Sequence, residues 1–170
     1  MRRMKAPTTV ILLVFGFLLG ILFTGVSVNL AAPRLLIKEA HSPYDFEKTV
    51  RVIRERIAAS PNWHLVEVYD QNAEVTAHGG APIGRMAIIK YCSGRYASDM
   101  LKADDRKQLA AMMPKGIAVY ENSRGEVLIA MSNGLVMGKL FGGEVGRIVE
   151  EVSREVEQIM GFMNFKFSTF

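Results

Sequence analysis

Cysteine is nearly missing from this chain. Cys92 is the only one, so no intrachain disulfide can brace the fold, and both a two-thiol redox motif and the Cys-x-x-Cys-His attachment of c-type haem are ruled out. Histidine is scarce as well: His41, His64 and His78 show none of the His-x-x-x-His spacing that turns two ring nitrogens toward one metal. Nucleotide fingerprints are absent, because Gly79-Gly80 and Gly142-Gly143 lack the residues that complete a phosphate loop, and no serine sits in a nucleophile elbow. Asp104-Asp105, between Lys102 and Arg106-Lys107, reads as an ordinary solvated helix face. There is no internal repeat and no low-complexity tract. These gaps leave no positive argument for an enzyme.

Charge is absent too, over one long stretch. Between Lys5 and Arg34 there is no Asp, Glu, Lys or Arg, and Val10 to Val28 is almost wholly apolar. A helix crosses the hydrocarbon layer with about 20 such residues, and in that medium a helix satisfies its own backbone. The apolar region of a cleaved signal peptide is about 7–15 residues. This run is longer, and the small-residue site at Ala31-Ala32 is followed by Pro33, so a retained single-pass anchor is expected. Gly16 and Gly20 have the spacing that lets two such helices approach, a pattern common in these helices in any case. Arg2, Arg3 and Lys5 precede the run, whereas Arg34 and Lys38 after it are offset by Glu39. The positive-inside rule then keeps the N-terminus in the cytoplasm and sends the rest to the periplasmic or equivalent extracytoplasmic side. The expected division is a stub and anchor over 1–32, one domain over 33–161 and a Phe-rich tail over 162–170.

The net charge of +4 owes much to that stub. With Arg2, Arg3 and Lys5 set aside from the 21 basic residues, 18 face 17 acidic ones, a net charge of +1. Nucleic-acid binding needs a concentrated basic face, and none is present, so no nucleic-acid partner is expected.

Within the domain, Leu35 to Ala40 reads as a strand. Ser42-Pro43 opens a helix with Ser42 as N-cap, and Phe46, Val50, Ile53 and Ile57 form its apolar face. Trp63 to Tyr69 is a second strand, Asp70 to Gly84 a loop with one helical turn, and Arg85 to Cys92 a buried strand. Tyr96 to Met113 is helical with a break near Asp104-Asp105. Ile117 to Glu121 and Val127 to Met131 flank Asn122-Ser123-Arg124-Gly125 as a hairpin. Leu135 to Phe141 and Glu144 to Met160 are helices, the latter with a stripe through Val145, Ile148, Val149, Val152, Val156, Ile159 and Met160. The tail (Phe162, Phe165, Phe167, Phe170) is open to three readings: a last strand, a partner contact or an interfacial membrane contact. The class is α+β, one sheet covered by helices.

From Phe46 to Gly143 the chain resembles the DUF302, or TT1751-like, family of small α+β domains. The resemblance is carried by Trp63 and Asp70, Ile88-Ile89-Lys90-Tyr91-Cys92, Tyr96-Ala97 and Leu101. It is strongest over Ala111-Met112-Met113-Pro114, Ile117-Ala118-Val119-Tyr120-Glu121, Gly125 to Ile129, Met131-Ser132-Asn133 and Phe141-Gly142-Gly143. It implies a compact domain with a mixed sheet, a tendency to homodimerise and no established reaction. Lys115 stands where relatives often carry a second cysteine, and Cys92-Ser93-Gly94 replaces a Gly-Asn-Pro turn of the soluble branch. Two-thiol chemistry is therefore not carried over, and this chain would be a membrane-anchored member.

Cys92 ends a strand just before a helix near Arg95 and Tyr96, a position where backbone N–H groups and a cation favour a thiolate. It is either a packed strand-end residue or a ligand for a soft metal, haem iron or an activated sulfur group. Eight of the ten methionines lie beyond the anchor. They are either core filler or, at Met112, Met113 and Met131, thioethers close enough to Cys92 to select copper(I) or haem. His78, in its Gly-rich loop, is the one histidine worth adding to the site. The expected function is a membrane-tethered binding module for a soft ligand; the alternative is an interaction subunit that docks a membrane complex.

Overall fold

A computed structural model describes residues 6–162, and the chain divides into two compact units, Met1–Leu35 and Leu36–Phe170. The first is built on helix α1, Ala6–Leu36. Within it Thr9–Ser27 has a mean hydropathy of 2.6 over 19 residues, long and apolar enough to cross a membrane. Helix persists to Leu36, so the first strand starts at Ile37 and not at Leu35.

The second unit is α+β. Its strands are β1 (Ile37–His41), β2 (His64–Asp70), β3 (Met86–Cys92), β4 (Lys115–Glu121) and β5 (Val127–Ser132). Its helices are α2 (Phe46–Ala58), α3 (Gln71–Ala77), α4 (Gly94–Leu101), α5 (Gly134–Phe141) and α6 (Gly143–Ile159), with a 3-10 helix over Asp104–Met112. The strands form one sheet in the order β1-β5-β4-β3-β2. Every pairing is antiparallel, which corrects the mixed sheet implied by the resemblance. The β2–β3, β3–β4 and β4–β5 connections each return the chain at the end of the sheet where it left. A parallel neighbour would need a crossover along the strands.

Strand alternation sets the layers. In β3 Ala87, Ile89 and Tyr91 are buried, while Ile88, Lys90 and Cys92 on the other face are half-buried. Cross-strand register carries the buried layer through Ile117 and Val119 of β4 to Ile129 and Met131 of β5. Onto it α2 lays Ile53 and Ile57, and α6 lays Ile148, Val152 and Val156. At the β2 edge the β2–β3 register shifts between Leu65 and Glu67, leaving Val66 half-exposed.

Several local signals resolve differently from the sequence reading. Helix α2 is capped by Asp45, whose carboxylate accepts from Lys48 N–H at 2.8 Å. Ser42 instead accepts from Tyr44 N–H at 3.1 Å and shares a hydrogen bond with Thr49 Oγ1. The expected 70–84 loop contains two turns of helix, α3, capped by Asp70 onto Ala73 N–H at 3.0 Å. Asp at that position satisfies an orphan helix donor, outweighing the glycines that follow. The break near Asp104-Asp105 is present, and the second piece winds as 3-10. Helices α5 and α6 meet through glycine: a Cβ on Gly138 would lie 2.8 Å from the Gly146 carbonyl oxygen, and one on Gly134 would lie 2.9 Å from Ser153 Cβ. Of the Phe-rich tail, Phe162 stacks on Tyr44 with centroids 6.0 Å apart and takes the Arg56 guanidinium over its ring. Phe165, Phe167 and Phe170 lie outside the described residues.

Candidate functional site

Antiparallel order brings the C-terminal end of β3, the N-terminal end of β4 and the C-terminal end of β5 to the same end of the sheet. A cavity of about 540 Å³ opens there, walled by α4, the 3-10 helix, α5 and α6 as well as by the strand ends. It takes residues from both faces: Ile88, Lys90 and Cys92 from one, Tyr91, Lys115 and Met131 from the other.

One wall is aromatic. Trp63 packs against Tyr91 and Tyr96, with centroids 5.4 and 6.0 Å apart. Glu155 of α6 fixes this cluster from behind, accepting from Trp63 Nε1 at 2.9 Å, Tyr96 OH at 2.7 Å and Arg95 at 3.2 Å. Burial pushes the Glu155 carboxyl up, but the hydrogen bonds from Tyr96 and Trp63 and the Arg95 charge outweigh it and hold the group below its ordinary value. Burial raises the Tyr91 phenol, and burial together with the hydrogen bond to Glu155 and its charge raises that of Tyr96. Both stay neutral at physiological pH and serve as wall.

The other lining is sulfur. Met100, Met112, Met113, Met131 and Met137 all contribute, together with Cys92. Cys92, Met112, Met113 and Met131 therefore border one space, whereas His78 does not. His78 follows α3 on the exposed surface, its Nδ1 2.8 Å from the Glu74 carbonyl oxygen, and it lines no part of the cavity. Among the described residues no three His, Cys, Asp or Glu side chains cluster as a metal site.

Register separates the sulfurs further. Cys92 lies on β3, and Met131 on β5 pairs with Ile117 of the buried face. With one strand between them they are roughly 10 Å apart across the sheet and on opposite faces. Metal–sulfur bonds are about 2.3 Å, so one ion cannot hold both. Met112 and Met113 are better placed: they end at Pro114, one residue before Lys115, which opposes Tyr91.

Two polar groups that the sequence did not single out also line the cavity. Ser93 is 3 % exposed and its hydroxyl has no hydrogen-bond partner among the described residues. Lys115 is desolvated, which lowers its ammonium pKa. The available signal was positional: a serine just before a helix, and a lysine opening an apolar strand.

A five-stranded antiparallel sheet packed with helices, and an apolar cavity at one end, defines a small α+β domain organised around a pocket. The family model for DUF302, a domain of unknown function, matches residues 38–162, and the chain belongs to that family. The crystal structure of an uncharacterized conserved DUF302 protein from Bacillus stearothermophilus shares the fold, with a TM-score of 0.64 at 12% identity over 75% of this chain and 97% of its own. No curated protein matches the chain.

Proposed function

We propose that the domain is a binding module, tethered to a membrane by the Thr9–Ser27 helix on the extracytoplasmic side, whose cavity takes a largely apolar organic ligand with a soft centre. The observation behind this reading is the lining: five methionines, the single cysteine and an aromatic wall around one space of about 540 Å³. Cavities of roughly 300–1,000 Å³ hold whole organic molecules; a bare ion needs far less. Of copper(I), haem and a sulfur species, haem agrees best with these features. Its macrocycle suits the aromatic and thioether walls, and its iron accepts a thiolate or thioether, for which Cys92, Met112 and Met113 are the candidates. Copper(I) would need sulfurs converging within bonding distance, which the Cys92–Met131 separation disfavours. Sidedness rests on Arg2, Arg3 and Lys5.

The test is titration of the full chain in detergent micelles with iron protoporphyrin IX, followed by the Soret band. Saturable 1:1 binding with a ligation-shifted band is expected, with the shift altered in Cys92→Ala or in Met112→Leu/Met113→Leu. Absence of saturable binding refutes the haem reading. Protease digestion of intact spheroplasts should degrade the domain; protection would overturn the sidedness.

A further inference from the structure

We infer that the ligand of this cavity carries an acidic group, which Ser93 and Lys115 hold at the buried face of the sheet end. The inference rests on the pocket reading above and adds the ligand's charge.

The argument begins with register. Lys115 opposes Tyr91, so the two share a face. Ser93 follows Cys92 in extended conformation, at φ −123° and ψ 118°, so its side chain returns to the face of Tyr91 and Lys115. Ser93 and Lys115 are therefore diagonal neighbours. Such positions lie about 7–8 Å apart, within reach of a long side chain, and both line the cavity.

Each is unexplained by the protein's own needs. Ser93 is the N-cap of α4, where a serine hydroxyl ordinarily accepts from a first-turn N–H. Here it makes no capping bond and is buried without a partner. The Lys115 ammonium has no ion pair or hydrogen bond among the described residues. Glu155, the carboxylate beside the aromatic wall, is already engaged by Trp63, Tyr96 and Arg95. An ammonium held out of water with no counter-charge is costly, and a bound carboxylate would remove that cost. The uncapped first turn of α4, next to the Ser93 hydroxyl, adds a positive potential of the same sign. Cys92 and Lys90 project from the opposite face, so the acid-binding end and the thiol end of the cavity are distinct.

The probes are iron protoporphyrin IX and its dimethyl ester, which differ only in the two carboxylates, titrated into the full chain by the Soret shift. The free acid should bind about ten-fold tighter than the ester, the effect expected of a charge-assisted pair. Lys115→Met should reduce that ratio to about two-fold or less, and Ser93→Ala should reduce it in part. Lys102→Met, on an exposed side chain paired with Asp99, should leave it unchanged. Near-UV dichroism of the Trp63 cluster establishes that each variant is folded. Equal affinity of acid and ester, or a preference that survives Lys115→Met, overturns the acid site and leaves the pocket reading standing. Failure of both porphyrins to bind removes the haem reading and this one with it.

Discussion

Substituting Gly146 by alanine should destabilise the domain although alanine is the better helix former. A Cβ at Gly146 would fall closer to the Gly138 carbonyl oxygen than the 3.0 Å that real Cβ contacts respect, and the obstructing atom is backbone. No rotamer change relieves it, so α5 and α6 must part by roughly 1 Å, a gap that forfeits a quarter to a half of the dispersion energy across it. Overpacking of this kind costs up to about 3 kcal/mol. The gain in helix propensity returns about 1 kcal/mol, for a net loss of about 2 kcal/mol. In a domain of this size that lowers Tm by roughly 6–8 °C. Gly94, the first residue of α4, has nothing within 4 Å of its Cβ position, so Gly94→Ala should stabilise by about 0.5 kcal/mol. The assay is thermal unfolding of the full chain followed by near-UV dichroism. If Gly146→Ala melts at or above the parent temperature, the close backbone contact between α5 and α6 is not what holds them together.

Three further outcomes follow from the packing and charges. Ile117→Ala empties a fully buried site at the centre of the sheet and should cost about 2–5 kcal/mol in urea unfolding; a loss below 1 kcal/mol would contradict that packing. Asp45→Ala should cost about 1 kcal/mol by removing the α2 cap, and Asp45→Asn should largely retain it, as read by Tm. Glu155 is held below its ordinary value of 4.5. A depressed folded-state carboxyl contributes stability above the unfolded value and loses it as pH falls through the folded one. Tm should therefore drop below about pH 4.5, and Glu155→Gln should flatten that part of the acid melting curve.

Elements with a strong local period were legible in the sequence. The apolar stripe of α6 is legible there, and its Ile148, Val152 and Val156 are buried, together with Gly146 and Ser153, which hydrophobic periodicity does not pick out. The β4–β5 hairpin was also visible, because its turn chemistry is local. Strand order was not legible: β1 pairs with β5 through Ile37↔Ser132, contacts nearly a hundred residues apart that no window of sequence contains. Caps were read in part, because Ser42 and Asp45 are both competent and the backbone conformation decides between them. At the cavity, element type in the sequence points to Cys92, Met112, Met113 and Met131, and the antiparallel order brings their strand ends to one place. The glycine neighbours that mark His78 in the sequence give it an exposed turn and no place in the cavity. Ser93 and Lys115 each read as routine alone; their relation appears only once Tyr91 and Lys115 are paired.

The register shift at Leu65 and Glu67 bears on how these domains tolerate one another. An outer strand with an unbroken row of amides is a template onto which another strand can zip. Here that row is interrupted in the middle of β2, and a bulge increases the local twist, so a second β2 laid alongside would lose its hydrogen bonds within a few residues. Val66, which the irregularity leaves half-exposed, is thus an apolar side chain on an edge that offers no continuous ladder. At this edge, neighbouring copies held at high local concentration meet an interrupted ladder and not a template.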